Sequence, residues 1–267
     1  MKKFISVLLV LVLALSALSL VACENKKKTL VMATNAAFPP YEYKDGNKFA
    51  GIDIEIAQAI AEKLGMELEI ADVDFGAIIG GVQSGKYDFG MAGMTVSEER
   101  KKSVDFSNTY ATGVQVIIVK EDSQYNSLED FFELNENGDF TATKSDVKIG
   151  VQQDTTGDIY SSSPLEEGGF GEDHVIRYKT GADAVQALVT GKISAVIIDN
   201  EPAKAFVAAN PGLKILDAPY AEEEYAICVA KNNKELLDKI NKALEELTAD
   251  GTIKSIIDKY INTGSSN

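Results

Sequence analysis

Phe89-Gly90-Met91-Ala92-Gly93-Met94-Thr95-Val96-Ser97-Glu98-Glu99-Arg100-Lys101-Lys102-Ser103-Val104-Asp105-Phe106-Ser107 reads as a short apolar strand running into a short hydroxyl-capped helix. Thr95 and Arg100 lie five residues apart at the mouth of that helix. An arginine fork meets a carboxylate with two parallel charge-assisted hydrogen bonds, and a helix start adds unpaired backbone N–H groups and a positive end potential. The stretch is therefore a candidate clamp for one carboxylate. A plainer alternative is that Thr95 or Ser97 caps a surface helix and Arg100 is a solvated first-turn charge.

Upstream of this strand the chain alternates between two periods. Leu30-Val31-Met32-Ala33 predicts a strand; positions 52 to 64 place Ile56, Ala57, Ile60, Ala61 and Leu64 on one helical face, and Gly65 stops it. Met66 to Ile70 predicts a second strand, and Phe75, Ile78, Ile79 and Val82 form a second helical stripe that ends at Gly85. With Phe89 to Ala92 this is a βαβαβ unit, so an α/β fold is expected, with a parallel sheet and its ligand crevice at the carboxyl ends of the strands.

A second unit of the same kind follows. Val147 to Val151 predicts a strand, Thr155 to Tyr160 a helix start, Ala182 to Val189 a helix stopped by Gly191, and Ile193 to Ile198 a strand ending at Asp199, with Pro202 at a first helical position. Two C-terminal helices are expected from the stripe Leu236, Leu237, Ile240, Ala243, Leu244, Leu247 and from Ile253, Ile256, Ile257, Tyr260. No Pro- or Gly-rich linker separates the two units, which points to two lobes joined by rigid strand crossings. Asn126 to Asp146 has no clean period and is expected to form a short helix over 128 to 134 and a surface loop.

The N-terminus has the architecture of a secretory signal: Lys2 and Lys3, an apolar run from Phe4 to Leu20, then Val21-Ala22-Cys23. Leu20-Val21-Ala22-Cys23 resembles a lipobox, which makes residues 1–22 a signal peptide and Cys23 the lipidated first residue of the mature chain, followed by a short linker over 23–28. Removing 22 residues from 267 leaves 245, enough for one large domain or two small ones. One cysteine, Cys228, remains in an apolar run, so no internal disulfide is possible; it reads as a buried filler and His174 as a surface loop residue. Neither points to a metal, a thiol site or a cofactor. Loss of Lys2 and Lys3 takes the formal net charge from −15 to −17, which disfavours nucleic acid and anionic lipid as partners.

Four blocks in order resemble the extracellular solute-binding proteins for polar amino acids that feed ABC importers. They are Ala33-Thr34-Asn35-Ala36-Ala37-Phe38-Pro39-Pro40-Tyr41-Glu42-Tyr43, Gly51-Ile52-Asp53-Ile54-Glu55, the stretch from Ala92 to Ser107, and Gly150-Val151-Gln152-Gln153-Asp154-Thr155-Thr156-Gly157. The resemblance spans about Thr29 to Tyr260. It implies a two-lobed periplasmic-binding-protein-like α/β fold, each lobe a mostly parallel sheet flanked by helices, with two crossover strands as hinge. Residues 28–110 and 225–267 would form the first lobe and 114–221 the second, with crossings near Tyr110 to Gly113 and Ala221 to Glu224. The expected protein is a lipid-anchored monomer on the extracytoplasmic face of the cell membrane. Its expected partners are a polar L-amino acid and the permease subunits of an ABC importer.

By the same resemblance Arg100 pairs with the ligand α-carboxylate, Thr95 and Thr156 add donors, and the Thr155-Thr156 helix start faces the ligand from the opposite lobe. Asp199 takes the α-ammonium, helped by the Gly93 carbonyl and the Thr95 hydroxyl; read alone, Asp199 is equally a helix cap. Side-chain selectivity would come from Asn35, Phe38, Ile52 and Gln152. Among those positions no carboxylate faces a cationic side chain, unless Asp154 or Glu42 supplies one, so glutamine-like or cystine-like ligands lead and arginine or lysine follow. Cyclohexadienyl dehydratases also resemble these proteins, but their chemistry requires a positioned acid, and no acid with a raised pKa is expected in this cleft. A ligand-binding sensor that works through a separate membrane receptor is a third alternative.

Overall fold

The computed structural model describes residues 28–217 and 219–261; the signal segment, Cys23 and residues 262–267 lie outside them. In chain order the first half carries β1 (Thr29–Thr34), β2 (Ala37–Phe38), β3 (Glu42–Asp45), β4 (Lys48–Ala50), α1 (Ile52–Lys63), β5 (Glu67–Asp72), α2 (Ala77–Gln83), β6 (Phe89–Gly90), α3 (Glu98–Lys101), β7 (Val104–Phe106) and β8 (Ala111–Lys120). The second half carries β9 (Phe132–Leu134), β10 (Phe140–Thr143), β11 (Ile149–Gln152), α4 (Thr156–Ser162), β12 (Val175–Tyr178), α5 (Gly181–Val189), β13 (Ala195–Asp199), α6 (Asn200–Ala209), β14 (Leu213–Ile215), β15 (Ala221–Tyr225), β16 (Cys228–Ala230), α7 (Lys234–Ala249) and α8 (Thr252–Ile261).

Two large sheets result, one per lobe, β5-β1-β6-β16-β7 and β12-β11-β13-β8-β14 with β15 also paired to β8, beside a small β2-β3-β4 sheet and the β9-β10 pair. Strand directions are mostly parallel in both large sheets. Only β16 is reversed in the first sheet, and only β8 in the second. Each reversed strand is the one the chain enters on changing sheets. The two crossings also pair with each other, Gly113 opposite Glu223 and Ala111 opposite Tyr225. A hinge made of two hydrogen-bonded strands bends as one ribbon, which suits lobe closure.

Helix α1 shows why these elements form where they do. Ile56, Ala57, Ile60 and Ala61 are fully buried, and burial of each isoleucine contributes about 1.5–3 kcal/mol. Asp53 and Glu55 in its first turn and Lys63 in its last oppose the helix dipole. Pro202 stands third in α6 rather than first, still within the turn whose N–H groups need no intrahelical partner.

The segment from 126 to 146 departs from expectation. Only a single 3₁₀ turn, Glu129–Phe131, forms where a helix was expected, and β9 and β10 then make a hairpin. Phe131, at the end of the turn, stacks on Tyr125 at 4.3 Å and meets Phe170 edge-on at 5.7 Å, while Phe132, opening β9, stacks on Phe140 at 4.5 Å and on Phe170 at 5.1 Å. His174 is likewise half-buried in a 3₁₀ turn with Nδ1 3.0 Å from the Val147 carbonyl, rather than on a surface loop. Cys228 is fully buried, and burial pushes its thiol up to about 12.

Candidate functional site

The carboxyl ends of β1, β6, β11 and β13 face one another across a narrow cleft between the lobes. Asn35, Phe38, Gly93, Thr95 and Arg100 line it from the first lobe, and Gln152, Thr155, Thr156 and Asp199 from the second. Glu42, Phe75, Ala92, Gln115, Ile197 and Ile198 complete the wall. Nine of the ten expected ligand residues are thus brought together. Ile52 is the exception: it opens α1, is fully buried in the core of the first lobe and does not reach the cleft.

The lobes touch across this cleft. Thr95 Oγ1 and Thr156 Oγ1 stand 3.4 Å apart, and Gln152 Nε2 donates to Asn35 Oδ1 at 2.9 Å. Asn35 Nδ2 in turn donates to the Val73 carbonyl at 2.8 Å. Phe38 stacks on Tyr41 with ring centroids 6.0 Å apart and forms one wall. Gly93 adopts a φ of 51°, and a Cβ there would come within 3.0 Å of the Phe38 ring, so glycine lets the backbone lie against the aromatic wall.

Arg100 is buried. Its Nη1 donates to the Thr95 carbonyl at 2.8 Å, its Nη2 to the Asp154 carbonyl of the other lobe at 3.2 Å, and its guanidinium lies over the Phe75 ring at 5.2 Å. The helix cap is Ser97, whose hydroxyl accepts from the Arg100 N–H at 3.2 Å. Capping and clamping are therefore divided between two residues. Thr155 caps α4 by accepting from the Asp158 N–H at 3.3 Å while also lining the cleft. Asp199 stands at the start of α6 but caps nothing; its carboxylate accepts from Gln115 Nε2 at 2.8 Å and from the Tyr225 hydroxyl.

Negative charge is in excess here. Glu42 and Asp199 line the cleft, while Asp53 and Glu223 lie buried just behind it. Glu223 accepts from Thr95 Oγ1 at 2.9 Å and Gln115 Nε2 at 3.0 Å, and Asp53 from the Gly93 N–H at 2.8 Å and Tyr110 hydroxyl at 2.9 Å. Glu42 Oε2 and Asp53 Oδ1 find no donor among the described residues. Burial, then the Asp53 charge, raises Glu42 well above the usual carboxylate range; burial raises Asp53 to about 6; burial, then the Glu223 charge, raises Asp199. The expectation that no acid with a raised pKa stands in the cleft is thereby corrected, and Glu42, one of the two carboxylates the sequence left as a possible supplier, lines the wall.

Gln115 escaped the sequence reading, although a single amide in the apolar run Val114-Gln115-Val116-Ile117-Ile118 is a signal. Glu223 gave none, since in Glu222-Glu223-Glu224 the buried member looks like its exposed neighbours.

The arginine-binding extracellular protein ArtP of Bacillus subtilis (strain 168) is 34% identical over 269 residues, covering 97% of this chain and 98% of its own. A solved ancestral arginine-binding protein bound to arginine superposes with a TM-score of 0.77 at 41% identity, covering 88% of this chain and 99% of that one. The same kind of ancestral protein bound to glutamine gives 0.76 at 41% identity, with 88% and 98% covered. The family model for bacterial extracellular solute-binding proteins, family 3, matches residues 30–263, and this chain belongs to that family.

Proposed function

We propose that this protein captures a cationic L-amino acid, arginine foremost, between its lobes and delivers it to the permease of an ABC importer. The charge imbalance of the cleft supports arginine over a neutral ligand: two carboxyl groups, Glu42 and Asp199, share the wall with one cation, Arg100. Arg100 and the Thr156 side of the cleft receive the α-carboxylate, Asp199 the α-ammonium, and Glu42 the guanidinium, with Phe38 and Phe75 flanking the alkyl stem. A ligand with two positive groups and one negative neutralises this set, and glutamine leaves Glu42 to its proton. Because the contacts come from both lobes, the ligand favours the closed cleft by its differential affinity for it. A lipid on Cys23 holds the protein at the extracytoplasmic membrane face, and residues 28–110 with 225–267 move against 114–221.

The raised carboxyl groups serve a bound cation rather than catalysis, and prephenate and arogenate are expected to pass unchanged over the purified protein. Calorimetric titration of wild type and Glu42→Gln with L-arginine and L-glutamine tests the assignment. Glu42→Gln should weaken arginine about tenfold or more and leave glutamine within about threefold, as expected for loss of one buried charge partner. Equal effects on both ligands, or no arginine binding by wild type, reject it. Membrane retention of a Cys23→Ala strain equal to that of wild type would reject the anchor.

A further inference from the structure

Arg177 lies on β12 outside the cleft, and both edges of its guanidinium are occupied. Its Nε donates to Asp158 Oδ1 and Oδ2 at 2.9 Å each, and its Nη1 and Nη2 donate to Glu172 at 2.6 and 2.9 Å. Asp158 sits buried in the first turn of α4, where its Oδ2 also accepts from the Asp154 N–H at 3.0 Å. Asp154 has a φ of 66°, the only positive value for a non-glycine residue among those described. Such a conformation persists when its surroundings over-determine it, and the Asp158 carboxylate on the Asp154 N–H is one such constraint. The turn directs the Asp154 carbonyl across the cleft to Arg100 Nη2 at 3.2 Å. One of the two backbone acceptors that orient Arg100 therefore belongs to the opposite lobe, and it is placed by a residue that does not line the ligand cleft but faces the outer opening beside Phe75 and Arg100.

We propose that Arg177 is a positioning residue for ligand capture. Through Asp158 it fixes the left-handed turn at Asp154, whose carbonyl holds the Arg100 guanidinium in the orientation that grips the ligand carboxylate, so that Arg177 governs how long the cleft stays shut. This rests on the assignment of Arg100 as the carboxylate clamp.

The test measures association and dissociation of L-arginine for wild type, Arg177→Gln, Arg100→Ala and the double variant Arg177→Gln with Asp154→Gly. All are compared at a temperature where circular dichroism shows each fully folded. Arg177→Gln should dissociate about tenfold faster with association within about twofold, since changes that loosen a formed complex appear in the off-rate. Glycine adopts positive φ without an anchor and keeps the carbonyl, so the double variant should recover most of the slow dissociation. Dissociation within twofold of wild type in Arg177→Gln, with Arg100→Ala still losing the ligand, overturns the relay and leaves the clamp standing. Faster dissociation that Asp154→Gly does not relieve overturns the route through Asp154. Wild-type binding by Arg100→Ala removes the clamp on which the relay depends.

Discussion

Two arginines stand on either side of the Asp154 turn, and they have opposite surroundings. Arg177 is matched by two carboxylates, Asp158 and Glu172, and every edge of its guanidinium is used. Arg100 has only backbone carbonyls and an aromatic face, with no carboxylate within ion-pair distance among the described residues. Removing a guanidinium from water is costly, and a protein that wanted only stability would pair it. Arg177 is spent on holding the Asp158 side of the turn; Arg100 is kept short of a counter-charge that a ligand can bring.

Exchanging each for alanine gives the largest contrast. Arg100→Ala should cost about 2–5 kcal/mol of ligand affinity, because the ligand carboxylate loses its charged partner in a closed cleft. The folding stability of the ligand-free protein should change by less than about 1 kcal/mol, since no ion pair is broken. Arg177→Ala should instead lower that stability by about 1–3 kcal/mol, because Asp158 stays buried without its cation, the figure reduced for the one-third exposure of the Arg177 side chain. Chemical denaturation and calorimetry on the same samples separate the two. Equal stability losses would erase the distinction.

The unmatched acids around the cleft sharpen it further. Asp53, raised by burial to about 6 from an unfolded value of 3.8, holds a proton in the folded state that the unfolded chain releases between those two pH values. Stability from this group is therefore present at low pH and lost as pH rises through about 6, a change of up to about 3 kcal/mol. On going from pH 7.5 to 5 the ligand-free melting temperature of wild type should rise relative to that of Asp53→Asn. Arginine affinity should fall over the same window as Asp199, raised by burial and by the Glu223 charge, takes up a proton. Parallel melting curves for the two proteins would show that Asp53 does not titrate there.

Much of this was legible because it follows from period and punctuation. The βαβαβ alternation, Gly65 and Gly85 as stops, and Thr95 with Arg100 at a helix mouth are local patterns. Asp199 was legible only through its place at a strand end, where capping and ligand binding compete; Gln115, eight residues beyond the nearest recognised block and brought beside it by strand pairing, donates to the carboxylate that would otherwise cap α6. Ile52 shows the opposite failure. A position that the family resemblance implied would face the ligand is here the first residue of α1, buried in the core with its neighbours Ile54 and Ile56. The Arg177 chain left no trace in sequence at all, since it depends on a backbone angle at Asp154 and on an ion pair nineteen residues apart.

The smallest expected effect lies at the rim, where the Asp154 turn meets the first lobe. A Cβ on Gly76 would fall 2.1 Å from Asp154 Oδ2 and 2.9 Å from its Cγ, so the closed cleft has no room for even a methyl group unless the Asp154 side chain swings away. Gly76 itself has a negative φ of −63°, so alanine introduces no backbone strain and should leave the ligand-free melting temperature unchanged or slightly raised. The cost then falls on closure alone. Gly76→Ala should weaken L-arginine by about 0.5–1.5 kcal/mol, the range for one displaced side chain at a packed contact. Pairing it with Asp154→Gly, which removes the obstructing carboxyl, should return the affinity to that of Asp154→Gly alone. If Gly76→Ala binds as wild type does, the lobes do not meet at this rim when the ligand is held, and the contrast between the two arginines rests on their charge partners without help from the turn between them.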